Sequence, residues 1–414
     1  MPFYDVREKI IVKDSTGAEI ANKTLTKNFY GNRMGGNYVY NETFEFDDTI
    51  PNQERRLQLA ISAASPNNFV ATDGVTHIDL EGIRPPSTDN VEVLPLGEEQ
   101  LWSDPASWKF DPPRIPQEND TIVITSDMNI IMDVEVGNCA KLRSLEINGK
   151  LTFLDGADRE LCSHSVWVRA GELHIGNATH PFQSQAIITL LGDNTQYYWS
   201  FSTAVEAGNK NFVVTNNAYI YGTPRSARAR LLETAEVGAK NITVEPGLDW
   251  QVGEKIGIAA TNMRTMDFDY CVIQSYDIGT GKIECEDELD GYHFGAFEST
   301  VDDYQVDMRA EVMLIERNVK IRASTDDIGP ILKEMWGCRV LVSDFFEPDL
   351  TYRTGSLIMD NAQVYNCSQK QTYKAAVKFE GAFRGRSKIS NSVISTGKGH
   401  GVIIENSVSK FLIH

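Results

Sequence analysis

Leu145–Phe153 (LEINGKLTF), Val166–Gly176 (VWVRAGELHIG), Ala186–Asp193 (AIITLLGD) and Phe212–Gly222 (FVVTNNAYIYG) decide the fold. Each is a short apolar run of period-two character, broken by Asn148-Gly149, Ala170-Gly171, Leu191-Gly192 or Asn216-Asn217, and the runs recur at roughly 21 to 24 residues. That interval leaves no room for crossover helices. A strand recurring at this interval, with Gly or Asn where φ turns positive, is how a chain coils into a right-handed parallel β-helix. Each rung then covers the open edge of the one before. An antiparallel sandwich is the alternative, but it would carry tight two-residue hairpin signals between its strands, and few occur.

Outward from this stretch, the texture changes twice. Residues 1–95 alternate apolar and polar at Val6–Val12, Glu19–Thr24, Asn37–Phe46 and Leu57–Ala63, and close on Arg84-Pro85-Pro86-Ser87, which reads as a small antiparallel β-domain with a linker. Residues 96–222 then hold the coil's opening, 223–336 its continuation with an irregular insertion at Met263–Asp303, and 337–414 shorter rungs. Those rungs are Leu357–Val364, Ala376–Glu380, Lys388–Ile394 and Val402–Val408. Asn361, Asn391 and Asn406 fall at matching corners, either as a ladder of mutually bonded amides or as isolated turn residues. The apolar run Phe411-Leu412-Ile413 before His414 reads as a rung cut short, hence as part of a longer protein. At the other end, Trp102 and Trp108 flank Asp104-Pro105, a turn in which one ring covers the first rung.

Composition excludes several function classes. With 39 Lys plus Arg against 58 Asp plus Glu, the formal charge of −19 argues against nucleic acid and anionic membrane surfaces. No run of 18 apolar residues suits a transmembrane helix, and Met1-Pro2-Phe3-Tyr4 starts no signal peptide. N-glycosylation sequons stand at Asn22, Asn41, Asn119, Asn177, Asn241 and Asn366. The six cysteines pair on paper as Cys139 with Cys162, one rung apart, Cys271 with Cys285, across Ile278–Gly281, and Cys338 with Cys367. Three disulfides fit an oxidising compartment; six buried thiols are the alternative.

The tryptophan turn, followed by LEINGKLTF and WVRAGELHIG, resembles the eight-glycine (G-eight) domain family found in the fibrocystins and in cell-surface hyaluronidases. Trp250–Ala259 (WQVGEKIGIA) and Val306–Val312 (VDMRAEV) with Arg317-Asn318-Val319 resemble two further family segments, so the likeness covers about residues 100–414. Glu118-Asn119 and Met313 stand where the family has glycines, which bears on local turns. The resemblance implies a β-helical protein of the cell surface, the ciliary surface included. Its partners would be other extracellular proteins, glycans, or a second copy meeting the coil's ends. In the hyaluronidase branch it also implies a rung carrying two histidines. Lys378 and Glu380 stand in their place within Ala375–Glu380 (AAVKFE).

A glycosidase needs a proton donor opposite a base or nucleophile. Lys378 and Glu380, two apart, share one side of a strand and form either such a pair or a plain ion pair. Asp307, Arg309 and Glu311 share another face, as a carbohydrate clamp, an acid site or a salt-bridged rung. The enzyme reading therefore rests on Arg309, Glu311, Lys378 and Glu380, and the reading preferred here is a scaffold without catalysis. No cofactor is implied. Asp267, Asp269, Asp302 and Asp303 have the hard oxygens Ca²⁺ takes, but no EF-hand loop surrounds them. The seven histidines show no metal-ligand spacing, and His174 reads as a packed strand residue. For glycan binding, Tyr197-Tyr198-Trp199 and Tyr219-Ile220-Tyr221 are the aromatic candidates.

Overall fold

The computed structural model describes the strands Phe3–Lys13, Glu19–Tyr30 and Arg56–Ala64 and, with short gaps, residues 96–413. It divides into two compact units, Met1–Val91 and Glu92–His414. In the first unit the three strands make an antiparallel sheet with Phe3–Lys13 in the centre. The strand expected at Asn37–Phe46 lies outside the described residues.

The second unit is a parallel β-helix of three sheets with six, seven and eight strands. Successive rungs read Lys141–Leu142, Ser144–Ile147, Lys150–Phe153, then Arg159–Ser163, Ser165–Val168, Glu172–Ile175, with one strand given to each sheet. The alternation explains the stacking. Ile122, Leu145, Val166, Phe212, Val340 and Val377 are in register through the second sheet, and Ile124, Ile147, Val168, Val214, Val342 and Phe379 form the adjoining column. All twelve are buried and together line one continuous apolar core. Trp102 and Trp108 join the first rungs of that core edge to face, ring centroids 4.8 Å apart, with Trp108 Nε1 donating to the Trp102 carbonyl.

Two details differ from the reading of the sequence. Ala186–Leu190 pairs with Arg159–Ser163 in the first sheet, not with the 166–176 line, and the residues after it detour outside the coil before Asn211–Val214 resumes it. The corner glycines Gly149 and Gly171 do not have positive φ. They are glycines because the rungs touch there: a Cβ on Gly171 would sit 1.9 Å from the Gly149 carbonyl oxygen. At the opposite corner, Asn361 and Asn391 do adopt positive φ (52° and 48°), and both side-chain amides donate to the Asp360 carboxylate rather than to each other. Asn406 lies outside the described residues.

The larger correction concerns 223–336. Instead of a continued coil with an insertion at Met263–Asp303, Thr300–Val301 pairs with Tyr304–Gln305 in a separate two-stranded sheet, and six of the strands from Arg228–Arg230 to Glu311–Leu314 form one antiparallel sheet. Its own core gathers Leu231, Trp250, Ile256, Ile258, Ile273 and Leu314. The coil resumes at Val319–Ala323, directly on Ala186–Leu190. These strands alternate as coil strands do, so the period alone could not tell neighbour from stacked rung.

Candidate functional site

The rung at Val377–Glu380 is where catalysis was to be sought. Val377 and Phe379 face the core, which turns Lys378 and Glu380 outward. Glu405 is in register with Glu380 on the next rung. The Lys378 ammonium, on a side chain only 7% exposed, lies 2.9 Å from both Glu380 Oε2 and Glu405 Oε2. Two carboxylates are thus held by one cation between them. The one ammonium offsets one of the two negative charges, and all three groups are engaged with one another rather than set as a donor and a base across a substrate-sized gap. Glu405 went unnamed in the sequence reading, although its place one rung after Glu380 is a legible signal.

Arg309 and Glu311 are on the antiparallel sheet, apart from that rung. Arg309 grips Asp307 through Nε and Nη2 (2.9 and 2.8 Å), and Arg230 reaches Glu311 at 3.1 Å and the Arg309 carbonyl at 2.7 Å. The Arg309 fork holds the Asp307 carboxyl down at about 2. The set is a salt-bridged edge, one of the alternatives left open above, but it belongs to the insertion and not to a rung. The family-like WQVGEK segment is likewise structural: Arg225 clasps Glu254 at 2.7 and 2.9 Å, and Trp250 Nε1 donates to the Ser226 carbonyl.

Of the Ca²⁺ candidates, the two among the described residues are each engaged by protein donors. Asp269 accepts from Gly291 N and faces His293 Nε2, both at 2.8 Å, while His293 Nδ1 donates to the Ala259 carbonyl. Asp267 accepts from Asn262, and Asp302 and Asp303 lie outside the described residues. Asp269 is thus committed as the hydrogen-bond partner of the fully buried His293 ring. The one cluster of potential metal ligands among the described residues, Cys139, Glu160 and Cys162, is closed by the disulfide between its cysteines.

All three cysteine pairs are bonded. Cys139–Cys162 and Cys338–Cys367 tie neighbouring rungs, and Cys271–Cys285 ties two strands of the insertion. Asn119, Asn177 and Asn241 are exposed, whereas Ser368 of the Asn366 sequon is fully buried beside the last disulfide. Asn22 lies in an N-terminal strand, and Asn41 lies outside the described residues.

The outer face of the third sheet offers a surface rather than a reacting centre. Thr152, His174, Tyr219, Ile358 and Lys388 run in register up five rungs, and the His174 and Tyr219 rings lie 4.9 Å apart. Beside this column is a groove of about 590 Å³ lined by Lys150, Asp155, His174, Asn177, His180 and Phe182, among others. Burial opposes ionisation of Asp155, but the amides of Gln183, Ser184 and Gly156 outweigh it and keep the carboxyl below its usual range. Tyr219 and Tyr221 are partly exposed here while Ile220 faces the core.

A disulfide-tied parallel β-helix interrupted by an antiparallel sheet is the class of protein these features define. Residues 107–233 match the family model of the G8 domain, a stretch that overlaps the 96–222 block and reaches the insertion's first strand. The chain is a G8-domain relative of the fibrocystins. It is 24% identical to mouse Fibrocystin-L over 306 residues, which is 70% of this chain and 7% of that protein. With mouse Fibrocystin it is 32% identical over 165 residues, 38% of this chain and 4% of that one. The chain therefore spans less than a tenth of the length of these relatives. Among solved structures, the crystal structure of the tailspike protein gp49 from Pseudomonas phage LKA1 aligns over 64% of this chain and 37% of its own, at 12% identity and a TM-score of 0.21.

Proposed function

We propose that this chain is a rigid scaffold segment of an extracellular or cell-surface protein, serving in adhesion or in a surface coat, with the ciliary surface as one setting. Three disulfides support an oxidising compartment. Its partners on this reading are other surface proteins, glycans, or a second copy meeting the coil's open ends, and Asn119, Asn177 and Asn241 carry N-glycans. The observation that carries the scaffold reading is the Lys378 ammonium held between Glu380 and Glu405. General acid–base groups typically contribute a factor of about 10² to 10⁴ each. Incubation with hyaluronan, followed by chain length across pH 4 to 8, is expected to leave the polymer intact. Cleavage that disappears in Glu380→Gln or Glu311→Gln would install a glycosidase instead.

The aromatic column favours a second reading, glycan binding on the third sheet. A ring presenting one face to a sugar supplies contact area at small entropic cost. Binding to a panel of neutral oligosaccharides should fall about tenfold in Tyr219→Ala if this reading holds. Equal binding by the variant discards it.

A further inference from the structure

Outside the second sheet, cations gather where the segment Thr372–Ala375 meets the strands Trp199–Ser200 and Glu206–Gly208. Arg339 opens its strand with Val340 facing the core, so its own side chain points outward, yet it is only 2% exposed. Its Nη1 donates to the carbonyls of Glu206 (2.9 Å) and Ala207 (3.2 Å), while its Nε–H is buried with no acceptor. Trp336 Nε1–H is buried without an acceptor too. The half-buried Lys374 places its ammonium 4.9 Å from the Tyr198 ring centroid and 5.8 Å from that of Trp336. The ammonium rests so close to Gly208 that a Cβ there would lie 2.7 Å from Nζ.

The electrostatics are only partly compensated. Burial lowers the pKa of Arg339 to about 10 against the opposing charges of Glu380 and Glu206. Burial first, and then the charge of Arg339, lower that of Lys374, with Glu206 opposing in part. Among the described residues no carboxylate reaches ion-pair distance of Arg339 or Lys374. Two like charges and two dry N–H donors are costly as they stand, and an anion with several acceptor oxygens is the kind of ligand that relieves both costs. Such a site is conspicuous on a chain of formal charge −19.

We propose that Lys374, Arg339 and Trp336 form a binding site for a small oxyanion, a sulfate or a carboxylate, free or borne on a polymer. Calorimetric titration of the full chain with sodium sulfate and with sodium acetate, against sodium chloride at equal ionic strength, tests it. Saturable binding of at least one oxyanion is expected, weakened about tenfold in Lys374→Met and several-fold in Trp336→Phe, which keeps the ring and removes the donor. Tighter sulfate assigns a tetrahedral ligand and tighter acetate a planar one. Thermal midpoints without ligand should not fall in Lys374→Met, since a buried charge is removed, and Trp336→Phe carries the test if that variant does not fold. Heats no different from chloride, or unchanged affinity in the variants that fold, would overturn the site.

Discussion

The coil and the insertion at 228–314 share one compact unit and one alternating sequence pattern, but different forces hold them. In the coil every strand but those at the ends of the three sheets has a parallel neighbour above and below, and columns such as Ile122-Leu145-Val166-Phe212-Val340-Val377 pass apolar contact from rung to rung. In the insertion each strand meets antiparallel neighbours around a smaller core, fixed by the Cys271–Cys285 bond, the Arg230–Glu311 and Arg309–Asp307 pairs, and the buried His293 on Asp269. The coil depends on burial repeated many times. The insertion depends on a few specific links, each of which can be cut alone.

The strongest test of that contrast is Phe212→Ala. Its ring is fully buried between Val166 and Val340, and its loss should cost about 3 to 5 kcal/mol in a urea melt of the whole unit. A cost below about 1 kcal/mol would mean that the column is not continuous.

Cutting one link of the insertion should have a smaller and more local effect. Cys271→Ser with Cys285→Ser opens a loop whose ends are 14 residues apart, worth about 2 to 3 kcal/mol. Hydrogen exchange should quicken at Ile256, Ile273 and Leu314 while Ile147, Val168 and Val214 keep their protection. Equal quickening in both regions would make them one cooperative block.

The smallest effect is acid sensitivity. Three backbone amides hold the Asp155 pKa below its usual value, so its stabilisation is present above the unfolded pKa, about 3.9, and is lost as pH falls toward the folded value. Asp155→Asn should flatten the fall in coil stability below about pH 4 and weaken it slightly at pH 7. An unchanged acid limb would remove Asp155 from the account.

What the sequence disclosed follows from the same contrast. A rung's inward residues repeat at a spacing close to the register itself, so Leu145 and Val166 could be aligned by eye, and Cys139 with Cys162 likewise, whereas the excursion after Leu190 puts Phe212, the next residue of that column, outside the repeat interval. The insertion could not be separated from the coil, because Ile256-Gly257-Ile258 alternates like any rung and only its partners, Cys271 and Val312, make it antiparallel. Charged sites were the least legible. Lys378 and Glu380 could be named, but the ion pairs that hold them are completed by Glu405 one rung later, and Arg169 finds Glu347 178 residues along the chain. Pairings of that span leave no local signature.

The contact between Gly149 and Gly171 has a mechanical consequence. Neighbouring strands stand about 4.8 Å apart, and that separation acts as a ruler for the coil. A methyl group at Gly171 has a carbonyl oxygen 1.9 Å away and nowhere to go sideways, so it acts as a wedge. The wedge is relieved only when the backbone of Asn148 and Gly149 gives way. An alanine at one corner would thus load the rung before it, and a residue whose own side chain is missing sets the pitch of its neighbours.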